Sequence, residues 1–221
     1  MKKVFLGLSL MGMVFFVSCG GNKDTVEATE AQDAATASAE SESYAVNTAV
    51  SSVAWKAGKI FQDTSKPEEG HYGAVKLKSG EVTVKGGVLE AGKFIVDQTS
   101  FESADLNDDP DTKAKLDGHL KSEDFLHVEK FPEATFEITA VNALTEGDYN
   151  TEISGNLDFR GTPKNITFKA NVNQEGDKVT IKSEEFKINR QDFGIVYKGG
   201  GDSIIKDDVM LQVDVTADKN Q

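Results

Sequence analysis

What most constrains this chain is a two-residue alternation of apolar and polar side chains that returns in run after run. Val82 and Val84 alternate with Glu81, Thr83 and Lys85. Phe136, Ile138 and Ala140 alternate with Thr135, Glu137 and Thr139, and Ile153, Gly155, Leu157 and Phe159 with Glu152, Ser154, Asn156 and Asp158. The period recurs in Ile166, Phe168, Ala170 and Val172, in Val179 with Ile181, in Phe186 with Ile188, and in Val209, Leu211, Val213 and Val215. Successive side chains of an extended strand point to opposite faces, so each run predicts a strand with one dry face and one wet face.

Turn chemistry separates these runs: Lys85-Gly86-Gly87, Ala91-Gly92, Glu146-Gly147-Asp148, Arg160-Gly161-Thr162-Pro163 and Glu175-Gly176-Asp177. Short connections make sequence neighbours pair antiparallel. One segment departs from the pattern. Asp109-Pro110-Asp111 places a capping acid before a proline at the first helical position, and Thr112 to Leu120 follows with Leu116 and Leu120 on one face. A short helix is therefore inserted between two groups of strands, with Gly118 weakening its end. The fold class is all-β. Eight or so one-faced strands can dry their apolar sides in a closed barrel or in a two-sheet sandwich, and periodicity leaves both open.

The first 43 residues do not belong to this pattern. Lys2 and Lys3 precede an apolar run, Val4 to Val17, whose 14 residues form an export signal and fall short of the roughly 20 that span a bilayer. The run ends in Phe16-Val17-Ser18-Cys19-Gly20, which resembles a lipobox, with Phe16 where leucine is usual. Cys19 is the only cysteine, so it has no disulfide partner and reads as the acylated first residue of the mature chain. Residues 1–18 are then the signal peptide. Residues 19–43 are a lipidated cysteine and a disordered acidic tether, in which Val26 is the only large apolar side chain. Its acids Asp24, Glu27, Glu30, Asp33, Glu40 and Glu42 outweigh Lys23 and extend it by repulsion. Residues 44–221 form one domain with a real core.

Charge narrows the partners. The whole chain carries −13, and −15 once Lys2 and Lys3 are lost, so it lacks the cationic excess that neutralises phosphate backbones. Nucleic acid is set aside as a partner, and the membrane is reached through the acylated Cys19. No Gly-x-Ser-x-Gly elbow is present, and no catalytic residue is assigned. His71, His119 and His127 lack the short zinc spacings, so no metal site is assigned either. Arg190, in Asn189-Arg190-Gln191-Asp192-Phe193-Gly194, could clamp an anionic head group, pair with Asp192 or cap a turn. Gly199-Gly200-Gly201 reads as a hairpin loop. Phe136, Phe159, Phe168 and Phe186 fall on the dry faces of strands, which by itself is core packing.

Taken in order, several segments of 44–221 resemble the YceI-like family of periplasmic lipid-binding or polyisoprenoid-binding proteins. They are Tyr44 with Ser52-Val53-Ala54-Trp55, Gly70-His71-Tyr72-Gly73, Gly92-Lys93-Phe94-Ile95-Val96-Asp97, and His119 to Phe125 followed by Phe131-Pro132-Glu133-Ala134-Thr135-Phe136. Gly155 to Lys164 and Ile188 to Ile195 complete the set. The resemblance implies an extended, lipocalin-like eight-stranded antiparallel barrel that holds an isoprenoid or quinone-type lipid. It requires no cofactor beyond that ligand. It makes Trp55, Phe94, Phe125 and Phe193 candidate ligand contacts, turns the four strand phenylalanines into candidate tunnel lining, and gives His71, His119 and Arg190 as head-group candidates. The chain departs from the pattern in a charged helical insertion carrying Lys113 and Lys115. A long polar stretch from Lys59 to Gly70 reads as a loop at the barrel mouth, and the anchor also differs, since family members are usually free in the periplasm.

The leading expectation is thus a non-enzymatic carrier or binder of an amphiphilic polyisoprenoid at the cell envelope, in the periplasm or at the cell surface. Two alternatives stand beside it. One is a metal protein or enzyme built on His71, His119 and Asp124. The other is an envelope stress or interaction protein whose barrel is filled. A continuous apolar tunnel favours the first reading, a closed bore the last. The oligomeric state is left open.

Overall fold

In the computed structural model, which describes residues 25–220, the alternating runs become strands of one sheet that closes on itself. The signal segment and Cys19 lie outside the described residues. In chain order the elements are β1 (Thr29–Glu30), β2 (Glu42–Val46), β3 (Ser52–Phe61), β4 (Glu69–Lys85), β5 (Val88–Ser103), α1 (Pro110–Lys121), β6 (Glu133–Ala143) and β7 (Thr151–Phe159). There follow β8 (Thr162–Glu175), β9 (Lys178–Ser183), β10 (Phe186–Asn189), a 3-10 turn (Arg190–Phe193), β11 (Ser203–Ile205) and β12 (Asp208–Lys219).

The ring runs from β3 through β4, β5, β6, β7, β8 and β9 to β12, which pairs back with β3, every pair antiparallel. β2 shares the place of β3 between β4 and β12, and β10 continues the place of β9 beside β12. Closure of the apolar face inward decides between the two arrangements that periodicity left open, in favour of the barrel.

Local chemistry explains the corners. Arg160 and Gly161 both have positive φ (55° and 71°) and form the two-residue turn between β7 and β8, as Gly86 and Gly87 do between β4 and β5. The turn expected at Ala91-Gly92 is not one. Gly92 pairs with Val82 inside β5, where a Cβ would lie 3.0 Å from the Val82 side chain, so this glycine serves close packing rather than reversal. The loop expected over 59–70 also narrows, because β3 runs on to Phe61 and β4 begins at Glu69. Helix α1 starts as expected, with the Asp109 carboxylate accepting from the Thr112 N–H at 3.1 Å, and continues through Gly118 to Lys121.

The segment read as a disordered tether is, over its described residues 25–43, strapped to the barrel. β9 covers β8 only from Ala170 to Glu175, and β10 pairs with β12, which leaves a seam beside the first half of β8. The strap enters that seam. Thr29 and Glu30 pair with Asn165 and Lys164 of β8, while the Val26 N–H donates to the Lys187 carbonyl of β10 at 2.8 Å. Farther on, the Asn156 side chain behaves like a neighbouring peptide group: its Oδ1 accepts from Gln32 N–H (3.0 Å) and its Nδ2 donates to Gln32 O (2.6 Å). The Ala35 N–H reaches the Ile138 carbonyl, and Ser38 and Ser41 end on the Glu90 carboxylate. The acids expected to repel one another find barrel lysines instead: Glu30 with Lys164, Glu40 with Lys85, and Glu42 with Lys219. A segment too polar to make a core is ordered here by borrowed backbone partners.

Candidate functional site

The barrel interior differs along its length. At the end of the β4–β5 and β8–β9 hairpins, Tyr44, Val82, Val84, Leu89, Val172 and Val179 are buried in the core cluster and close the bore. Toward α1 the bore widens into a chamber of about 190 Å³ lined almost wholly by apolar side chains from every position of the ring. Two glycines allow close approaches here, Gly155 to a ring and Gly73 to the β5 backbone. A Cβ on Gly155 would lie 2.3 Å from Phe136 Cζ, and one on Gly73, whose register partner is Trp55, would strike the Glu102 carbonyl at 1.9 Å.

The chamber wall carries a run of aromatic contacts. Phe94 and Phe136 lie 6.4 Å apart between centroids, Phe136 and Phe168 5.5 Å, and Phe168 stacks on Phe186 at 4.6 Å with their planes 3° apart. Trp55 stacks on Phe101 at 4.5 Å. Above the chamber, Leu116 and Leu120 of α1, Phe125, Tyr197 and the Gly199-Gly200 turn surround a mouth of about 340 Å³, which Trp55 and Ala57 also line. Arg160 fastens this cover, donating to the Glu123 carbonyl (2.5 Å) and the Gly194 carbonyl (2.7 Å). Lys113 and Asp117 of α1 hold the backbone of Ser103 at the end of β5.

Among the eleven candidate ligand contacts, Trp55, Phe94, Phe125, Phe136, Phe159, Phe168, Phe186 and Arg190 line the chamber, and His71 and His119 line the mouth. Phe193 does not. It is fully buried behind the wall with its ring 5.7 Å from Phe159, because β10 has ended and the 3-10 turn directs the side chain into the core. Arg190 is 3% exposed, and its partner is not Asp192 but Asp207 at 3.0 Å. Its guanidinium also donates to the carbonyls of Lys206, Ile195 and Ile205, so it chiefly staples the rim.

The histidines stand apart. His71 Nδ1 meets Asp105 at 2.7 Å and His119 Nε2 meets Asp124 at 3.0 Å, and among the described residues no group of three or more His, Cys, Asp or Glu side chains gathers to hold a metal ion. Burial raises the affinity of the Asp105 carboxyl for a proton, but hydrogen bonds from His71 and the Tyr72 N–H outweigh it and hold the carboxyl below its ordinary value.

Sequence reasoning missed Phe101 and Gln98. Phe94, Val96 and Gln98 keep the two-residue period, but the register breaks between Lys76–Asp97 and Ala74–Glu102, and the extra residues bring Phe101 inward out of phase. A tally of inward positions that allowed one bulge would have found both. No helix among the described residues is long and apolar enough to cross a membrane.

Comparison with known proteins agrees with this geometry. The family model of the YceI-like domain matches residues 44–217. A UPF0312 protein of Pseudomonas putida (strain GB-1) is 33% identical over 146 residues, covering 64% of this chain and 72% of the relative. Protein YceI of Salmonella arizonae is 41% identical over 87 residues, covering 37% and 44%. Among solved structures, that of Burkholderia cenocepacia BcnA aligns with a TM-score of 0.56 at 21% identity, over 78% of this chain and 99% of its own. A polyisoprenoid binding domain from Saccharophagus degradans aligns with a TM-score of 0.53 at 12% identity, over 80% and 98%. At these identities the structural matches speak to the fold.

Proposed function

The chain belongs to the YceI-like domain family, and from that premise we propose that it binds an amphiphilic polyisoprenoid, of quinone type, with the tail in the barrel chamber and the head toward the mouth. The observation that carries this is the chamber itself: nearly all apolar, bounded at one end by the packed core and at the other by the mouth beneath α1 and Phe125. Each methylene moved from water into such a space contributes about 0.8 kcal/mol, so a tail needs no directional bond to be held. The Saccharophagus degradans neighbour is a polyisoprenoid binding domain, which supports the same reading here. The protein acts as a binder and not as an enzyme. Acylation of Cys19 keeps it at the cell envelope, beside the membrane that supplies such lipids.

The test is to purify the whole chain with Cys19→Ser, record its native mass spectrum and analyse an organic extract. A co-purifying isoprenoid of defined mass is expected. Ala57→Phe, which narrows the passage between chamber and mouth, should abolish its retention with little change in stability. Empty protein that also takes up no quinone or polyprenol on titration would overturn the proposal.

A further inference from the structure

The chamber carries polar groups that the fold around it leaves unused. The Trp55 indole is 3% exposed and stacked on Phe101, yet its Nε1–H has no hydrogen-bond partner among the described residues. An indole nitrogen can only donate, and a buried donor left unpaired costs about 1–3 kcal/mol, so such groups are rare without a reason. Trp55, like Phe125, lines both chamber and mouth, which places it where a lipid tail would give way to its head. Gln98 sits three residues before Phe101 on β5, is 5% exposed and lines the same chamber. Only its backbone N–H, donating to Pro132 O, has a partner among the described residues; its side-chain amide has none.

The surrounding charges restrict what these groups can meet. Lys206, in the chamber wall, is paired with Glu68 at 2.7 Å. Lys59, at the mouth, is paired with Glu69 at 2.9 Å, and Arg190 is held by Asp207 and three carbonyls. An anionic head group would have to lose its water here without gaining an unpaired cation, which is costly. A neutral oxygen would not.

We propose that Trp55 Nε1–H and the Gln98 side-chain amide form a seat for a neutral oxygen of the ligand, a quinone carbonyl or a prenol hydroxyl, and that this seat selects such lipids over bare hydrocarbons and over prenyl phosphates. This inference rests on the isoprenoid reading above. It adds that the chamber recognises one end of its ligand and so fixes the ligand's direction.

Titration calorimetry on the whole chain with Cys19→Ser tests it, using four probes that share a geranylgeranyl tail: a menaquinone, geranylgeraniol, geranylgeranyl phosphate and the oxygen-free hydrocarbon. The menaquinone and the alcohol should bind about tenfold more tightly than the other two, the span expected for one or two net hydrogen bonds. Trp55→Phe keeps a ring to stack on Phe101 but removes the donor. It should bring the oxygen-bearing probes down toward the hydrocarbon, leave the hydrocarbon unchanged, and raise the Tm of the empty protein, since an unpaired buried donor has been removed. Gln98→Leu is the second variant and should move in the same sense. Tightest binding of the phosphate, equal binding of hydrocarbon and menaquinone, or an equal loss of every probe in Trp55→Phe would each overturn the seat while leaving the lipid reading standing. Binding of none of the four would overturn that reading as well.

Discussion

The two ends of the barrel are built from the same strands and differ in what fills them. At the hairpin end, medium-sized side chains such as Val82, Val84, Leu89 and Val179 are buried with Tyr44 in the core cluster. At the mouth end, larger rings stand against the wall with glycines behind or beside them, and the centre is left open. Side-chain size therefore does not predict filling. A ring of phenylalanines can enclose more space than a ring of valines, provided that a glycine such as Gly155 leaves room for Phe136 against the wall. One end supplies stability, and the other has given some of it up for a chamber.

The strongest test of that division compares two leucines. Leu89→Ala at the packed end should cost about 3 kcal/mol in chemical denaturation, as expected for a fully enclosed leucine. Leu157→Ala, on the chamber wall and only partly buried, should cost less than half as much. Equal costs would break the comparison, because they would mean that the chamber wall is packed as tightly as the far end.

A smaller effect comes from the strap, which crosses from one end to the other. Deleting residues 25–41 removes the β1 pairing, the Val26 and Ala35 backbone bonds and the two Gln32–Asn156 bonds. At about 0.5–1.5 kcal/mol net for each bond, offset by the entropy of ordering the segment, the loss should be about 2 kcal/mol. Hydrogen exchange should then rise in β8 and β10, on either side of the seam, before it rises in β4 and β5.

The smallest effect is one of pH. Hydrogen bonds from the Ser41 hydroxyl and the Ser38 N–H hold the Glu90 carboxyl below its ordinary range. A carboxyl whose folded pKa is depressed stabilises the fold above its unfolded value of about 4.3, and that contribution disappears as the pH falls through the lower folded value. Protection of the Ser38 and Ser41 amides, taken relative to the intrinsic exchange rate at each pH, should therefore fall on acidification below about pH 4, while the packed core stays protected. Glu90→Gln should remove the acid step.

These regions also differ in how far the amino-acid order reveals them. Regular alternation exposes β7 to β10 and β12 closely, because burial on one face leaves its period in hydropathy; in β6 it holds only to Ile138, after which a bulge leaves Ala140 exposed and packs Val141 against the core. The helix is equally legible, since Asp109 and Pro110 encode its start in local backbone chemistry. Phe101 escapes because a bulge changes the phase of inward positions without changing composition. The strap escapes for a deeper reason. Its partners are backbone groups and a side-chain amide on Asn156, and neither hydropathy nor local propensity records a hydrogen bond to a distant peptide. Phe193 misleads in the opposite way: it lies beside a strand that has already ended. The family resemblance made the chamber an expectation, but its polar seat appears only when each buried donor is checked for a partner.

The strap finally sets a leash length. Only residues 20–24 separate Cys19 from Thr25, whose hydroxyl is held by Asp208, three positions along the chain from Ile205 at the mouth. At about 3.5 Å per residue, a lipid on Cys19 would keep that rim within about 20 Å of the headgroups, where a loose segment reaching to Tyr44 would allow about 85 Å. With Cys19 acylated as proposed, the volume that the mouth can explore would shrink by well over tenfold, and its effective concentration at the bilayer would rise in proportion. A polar strap that adds modestly to folding would in this way decide which end of the barrel meets the lipid.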